Sequence, residues 1–295
     1  MEWRGRRGSK NVIDVRRSGG GGRMGRGARR AGGIGGIGAI IVILIGLFLG
    51  VDLSPILGLS GGGLGGGQQG TTIEQSGPNT IDDEDEEFVA VVLADTEEVW
   101  AQEFAARGAT YQPPELVLFS GVVNSACGTA NAAVGPFYCP GDQRVYLDME
   151  FFDTLERQLG ARGDFARAYV IAHEVGHHVQ NIIGVMNETN SLRAGASTTE
   201  ANAISVRVEL QADCLAGVWA RGAEEMFGSL EPGDIDEAMN AASRIGDDAL
   251  QRQSQGYVVP DSFTHGSSEQ RRTWFQRGFE TGQLEACDTF SADRS

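Results

Sequence analysis

The segment His173-Glu174-Val175-Gly176-His177 places two imidazoles and a carboxylate within five residues. On a helix, positions i and i+4 lie about 40° apart around the axis, so His173 and His177 turn their rings toward one metal ion. Two neutral imidazoles and a third protein ligand suit Zn²⁺, whose fourth position stays open to water. A bound zinc brings the pKa of that water down toward about 7, and Glu174, beside the pair, is the residue to take its proton. The third ligand is expected from a separate element. Glu209-Leu210-Gln211-Ala212-Asp213 supplies it: Glu209 as the ligand, and Asp213, one turn later on the same face, as the acceptor that holds a ligating histidine in one tautomer. Alone, Glu209 and Asp213 read as a solvated helix face, and their weight comes from the pairing with 173–177. Three of the four histidines fall at 173, 177 and 178, which argues against a chance match.

The other polar residues near this chemistry read differently. His178 lies about 100° around the helix from His177 and cannot easily join the same metal, so it reads as structural. His265, in Phe263-Thr264-His265-Gly266-Ser267-Ser268, sits in a loop before the last helical stretch. Donation to a developing oxyanion and a purely structural loop role both stand for it. Arg271 and Arg272, just beyond, read as surface charges.

These groups need a frame. The approach Phe165-Ala166-Arg167-Ala168-Tyr169-Val170-Ile171-Ala172 carries one charge and an apolar stripe, as a helix packed inside a domain requires. Helical patterns recur at about 149–160, 164–183, 198–227, 233–245 and 268–281, and a first helix runs on from Phe88. The acidic run 82–87 reads as the solvated start of that helix. Leu116–Phe119, Val122–Val123 and Gln143–Leu147 are short apolar runs bounded by Gly and Pro, which read as strands. A small sheet followed by helices is an α+β domain. Its extent is read as 88–295, preceded by a Gly-rich and acidic linker over 52–87.

Charge and hydropathy add a compartment. Residues 1–30 hold ten of the 24 Lys and Arg but only Glu2 and Asp14 of the 40 acidic residues, so the body is strongly acidic and disfavours nucleic acid as a partner. Gly33–Val51 is uncharged and just long enough to cross a bilayer. Its basic flank predicts a single-pass anchor with residues 1–32 as a cytoplasmic tail and the catalytic domain outside the cytoplasm, in the cell membrane. A cleaved signal peptide is the rival reading. Four cysteines, Cys127, Cys139, Cys214 and Cys287, suit an oxidising compartment. A Cys127–Cys139 bridge across a hairpin-like excursion would leave Cys214 with Cys287, although four cysteines allow three connectivities.

The chain resembles the neutral zinc metallopeptidase family of bacterial envelopes, within the zincin class. The resemblance rests on Gly135-Pro136-Phe137-Tyr138-Cys139-Pro140, Ala172-His173-Glu174-Val175-Gly176-His177-His178-Val179-Gln180, Glu209–Cys214, Ile245-Gly246-Asp247-Asp248 and Phe263–Ser268, and covers about 88–288. It implies a zincin-like fold with a helical active-site layer, zinc on His173, His177 and Glu209, and Glu174 as catalytic base. The expected activity is hydrolysis of a peptide or protein substrate, with an extended substrate pairing along the strand near Gln143–Leu147. The alternative is a zinc-stabilised binding or scaffold protein that does no proteolysis, against which Glu174 speaks, because a structural site has no use for it.

Overall fold

Short apolar runs near the middle of the chain pair as strands, and the longer stretches with a 3.6-residue period wrap them as helices. The computed structural model describes residues 1–16, 80–131 and 134–291. Its first half runs β1 (Val12–Asp14), α1 (Glu84–Ala106), β2 (Glu115–Phe119), β3 (Val122–Ser125), β4 (Gly128–Asn131), β5 (Phe137–Cys139) and β6 (Arg144–Asp148). Helices follow: α2 (Glu150–Arg157), α3 (Asp164–Ile182), α4 (Val185–Ala194), α5 (Thr198–Phe227), α6 (Asp234–Arg244), α7 (Asp247–Gln255) and α8 (Ser268–Thr281). The α+β class expected from the sequence is what the chain adopts.

The main sheet has the order β1-β2-β6-β5, with β2 parallel to both β1 and β6 and β5 antiparallel to β6. Leu116, Val117 and Leu118 are all buried, the continuous apolar pattern of a parallel strand covered on both faces. β3 and β4 form a separate hairpin. A disulfide joins Cys127, at the hairpin turn, to Cys139 at the end of β5, and a second joins Cys214 to Cys287. The strand read near Gln143–Leu147 is therefore interior, flanked by β2 and β5, and cannot take a substrate at its edge. Sequence periodicity finds a strand but not its neighbours.

The helical layer centres on α3, which packs against α1, α5 and α6, while α5 lies along α8. The α5–α8 approach is close because Gly217 and Gly278 face each other's backbones. A Cβ at Gly217 would come within 2.1 Å of the Phe275 carbonyl oxygen, and one at Gly278 within 1.9 Å of that of Cys214. Two capping boxes, Ser197 with Glu200 and Ser267 with Gln270, start α5 and α8.

Two boundaries differ from the sequence reading. α1 begins at Glu84, capped by the Asp83 carboxylate, which accepts the Glu86 N–H at 2.8 Å, so the domain reaches into the segment read as linker. Glu86, read as solvated, is fully buried. Residues 1–16, read as part of a tail apart from the domain, belong to the fold. β1 pairs with β2 in the register Val12↔Leu116, Ile13↔Val117, Asp14↔Leu118, and Trp3 packs edge-on against Phe88 with ring centroids 5.4 Å apart. The anchor read over 33–51, and the linker up to residue 79, lie outside the described residues. Among the described residues no helix is long and apolar enough to cross a membrane.

Candidate metal centre

His173 and His177 sit one turn apart in the buried middle of α3, and Glu209 faces them from the middle of α5. Ligand atoms of the three residues all lie within 4.8 Å of one another. His173 Nε2 is 3.1 Å from Glu209 Oε2, and His177 Nε2 is 3.5 Å from Glu209 Oε1. The helices come this close because Gly176, between the histidines, has no side chain: a Cβ there would stand 3.1 Å from the Ala212 carbonyl oxygen.

Each imidazole is held by its other nitrogen. His173 Nδ1 lies 2.9 Å from Asp213 Oδ1, and His177 Nδ1 lies 2.8 Å from Gln180 Oε1. Gln180 cannot turn its amide the other way, because its Nε2 donates to the Val208 carbonyl at 2.7 Å and to Gln211 Oε1 at 2.9 Å. Its Oε1 therefore accepts the His177 Nδ1–H, as Asp213 accepts that of His173. Both rings are set with Nε2 toward Glu209, the atom that each would offer to a metal. Two imidazole nitrogens and one carboxylate, with no fourth protein donor among them, fit a zinc ion that keeps a position for water.

Asp213 is itself clasped. Arg271 donates from Nε to Oδ2 at 2.8 Å and from Nη2 to Oδ1 at 2.9 Å, and the Tyr169 hydroxyl donates to Oδ1. Burial pushes the Asp213 carboxyl up, but Arg271 and His173 outweigh it and hold it below the usual carboxylate range. Arg271, read as a surface charge, is 2 % exposed. Arg271, Trp274, Phe275 and Gly278 stand at i, i+3, i+4 and i+7 and are the buried residues of α8, a spacing already visible in the sequence. Arg272 is exposed, as read. Gln180 was missed as well. Its signal is the i+3 spacing from His177 on a helix whose neighbouring face carries the two histidines.

Glu174 is buried at the same level of α3. Burial, opposed by His173, pushes its carboxyl up to about 7 in the metal-free protein, which poises it to exchange a proton near neutrality. Burial pushes Glu209 up too, but the surrounding histidines override it and hold the carboxyl well below its ordinary range.

His265 arrives from the loop before α8. One carboxylate oxygen of Asp247 accepts the backbone N–H groups of Thr264, His265 and Gly266 at 2.7, 2.7 and 3.0 Å, while the other lies 3.3 Å from His265 Nδ1. Gly266, at φ +92°, lets the loop lie against Val206 and Leu210, the turn of α5 that carries Glu209. Burial pulls the His265 pKa down, but the Glu209 and Asp247 charges carry it above the ordinary histidine value. Its own charge in turn lowers those of Glu174 and Glu209. Asp247, quoted in a motif without a role, is the residue that builds this loop.

His178 points away from the centre, as its angle on the helix predicts. Its Nε2 donates to the Gln112 carbonyl at 2.7 Å, so its Nδ1 accepts from the Tyr138 hydroxyl at 3.0 Å. Asn181 donates to the same hydroxyl at 3.0 Å. Together these two residues tie α3 to β5.

Comparison with known proteins gives one family model, described as "Putative neutral zinc metallopeptidase", which matches residues 1–290. The chain is 50 % identical over 291 residues to uncharacterized protein YpfJ of Escherichia coli (strain K12), covering 98 % of this chain and 99 % of that protein. It is 47 % identical over 192 residues to uncharacterized protein Rv2575 of Mycobacterium tuberculosis (strain ATCC 25618 / H37Rv), covering 62 % of this chain and 64 % of that one. No solved structure matches.

Proposed function

Because this chain belongs to the neutral zinc metallopeptidase family, we propose that it hydrolyses peptide bonds with zinc held by His173, His177 and Glu209. The observation that carries the reading is the preset pair of imidazoles, each locked through Nδ1 by a dedicated acceptor and turned toward one carboxylate. When bound, zinc supplies a Lewis acid for the scissile carbonyl and an acidified water. Glu174 is the group that takes the proton from the attacking water and returns it to the leaving amine. His265, braced on Asp247, donates a hydrogen bond to the oxygen on which negative charge develops. Arg271 and Asp213 hold His173 in its tautomer.

The substrate is a peptide or protein in extended form. β5 ends the sheet on the side of α3, and among the described residues its outer side has no strand partner in the sheet, so it replaces the interior strand β6 as the place for edge pairing. Two disulfides favour action outside the cytoplasm, and the run 33–51 favours attachment to the cell membrane.

The test is cleavage of an unfolded protein mixture by the purified full chain, before chelation, after it, and after zinc is returned. Activity lost with the metal and regained with zinc is the expected result. Cleavage that survives complete removal of metal would end the zinc assignment.

A further inference from the structure

The residues before the apolar run and those after it build one body. β1 supplies an edge strand to the main sheet, and the ladder extends beyond it, with Leu116 N–H donating to the Asn11 carbonyl at 2.8 Å and Val15 N–H to that of Leu118 at 2.9 Å. Ser9 N–H donates to the Ala90 carbonyl in α1 at 2.8 Å. Arg6 forms a two-pronged pair with Asp95 at 2.8 Å on each prong, and Asp95 is 3 % exposed. Without Arg6 that carboxylate would be a buried charge lacking its cation, and without β1 the edge of β2 and its apolar surface would be bare.

The basic residues of the head have partners of the same kind. Arg4 pairs with Glu84, Arg7 with Glu98 at 2.7 Å, and Arg16 with both Asp14 and Asp83, at 2.6 and 2.9 Å. Four of the ten basic residues that read as a retention signal, Arg4, Arg6, Arg7 and Arg16, thus meet acidic residues of α1 and its cap. The Arg16–Asp83 pair also brings the end of the first described stretch beside the beginning of the second.

A single crossing by residues 33–51 would put a bilayer between β1 and β2. Exchange of heads between two copies would not relieve this, because a head bound to any body must share its compartment. We infer that residues 1–16 and 80–291 lie on the same side of the membrane that the run 33–51 meets, so that the run attaches the enzyme without carrying its chain across. The inference builds on the proposed membrane attachment, replaces the cytoplasmic head of the sequence reading, and stands whether or not the body is a peptidase.

All four cysteines are in disulfides, so one introduced cysteine gives a single free thiol on the full chain. Lys10 in the head and Arg272 on α8 are both exposed. Lys10→Cys and Arg272→Cys chains are expressed in cells whose cytoplasmic membrane is intact and treated with a membrane-impermeant maleimide. A lysed sample sets full labelling, and zinc content of each purified variant checks the fold. The expected result is equal labelling at the two positions: both modified if the body is extracytoplasmic, both protected if it is cytoplasmic. The second case would keep the shared side and refute the extracytoplasmic placement. Arg272→Cys modified with Lys10→Cys protected, or the reverse, would overturn the inference.

Discussion

The Arg271 guanidinium clasps the Asp213 carboxylate with Nε and Nη2, at 2.8 and 2.9 Å, in a pocket closed to solvent. The same carboxylate receives His173, so a residue in α8 fixes the orientation of a candidate metal ligand in α3. Replacing Arg271 with Met removes the cation and leaves a buried anion, a change that typically costs about 3–5 kcal/mol. Urea unfolding of the metal-free variant is expected to show a loss of that order. Arg271→Lys, which keeps the charge but not the fork, is expected to fall between the two. A Met variant as stable as the wild type would show that the clasp does not stabilise the fold.

Gln180 does for His177 what Asp213 does for His173, but without charge. Gln180→Ala is expected to weaken zinc binding about 10- to 100-fold, the usual consequence of losing a partner of a ligating histidine. Competition with a chromophoric chelator measures this directly. Unchanged affinity would mean that packing alone orients the His177 ring.

Zinc binding is expected to release between about one and two protons near neutral pH, one from His173 and the fraction that Glu174 still holds. Burial pulls the His173 pKa down, but Asp213 and Glu209 push it above its ordinary value, so in the metal-free protein the ring is protonated at neutrality. Glu209 is already ionised there, and His177, lowered by burial, is already neutral, so neither adds a proton. Affinity should therefore rise with pH, by at least about tenfold per unit through neutrality. Calorimetry in buffers of different ionisation enthalpy counts the protons, and pH-independent affinity would contradict the charge assignment.

Turnover should fall on the acid side as Glu174 takes up a proton. Burial raises this carboxyl to about 7 without metal, and the charge of a bound cation favours the ionised form, so the acid limb of kcat/KM is expected at or below that value. An acid limb well above 7 would assign it to another group.

Much of this site was legible from spacing alone. The helices that carry it were placed correctly because apolar periodicity over a long stretch is a local signal. The residues that cluster there share i, i+4 spacing within each helix, His173 with His177 and Glu209 with Asp213. β1 was not legible, since three residues in a basic stretch carry no periodicity and their partner strand begins about a hundred residues later. The head's arginines suggested a membrane signal because charge counts do not reveal which acidic residues they meet. α4 and α7 are short and largely polar, and their positions depend on the helices beneath them. Arg271 was misread by identity, as an arginine, when its place beside Trp274, Phe275 and Gly278 marked it as buried.

In the proposed reaction Glu174 moves the proton and does not hold the metal. The most direct measurement is zinc content and cleavage of an unfolded protein mixture by the full chain, wild type beside Glu174→Gln. One zinc per chain in both and cleavage by the wild type alone are the expected results. A Glu174→Gln chain that still cleaves at the wild-type rate would contradict this role.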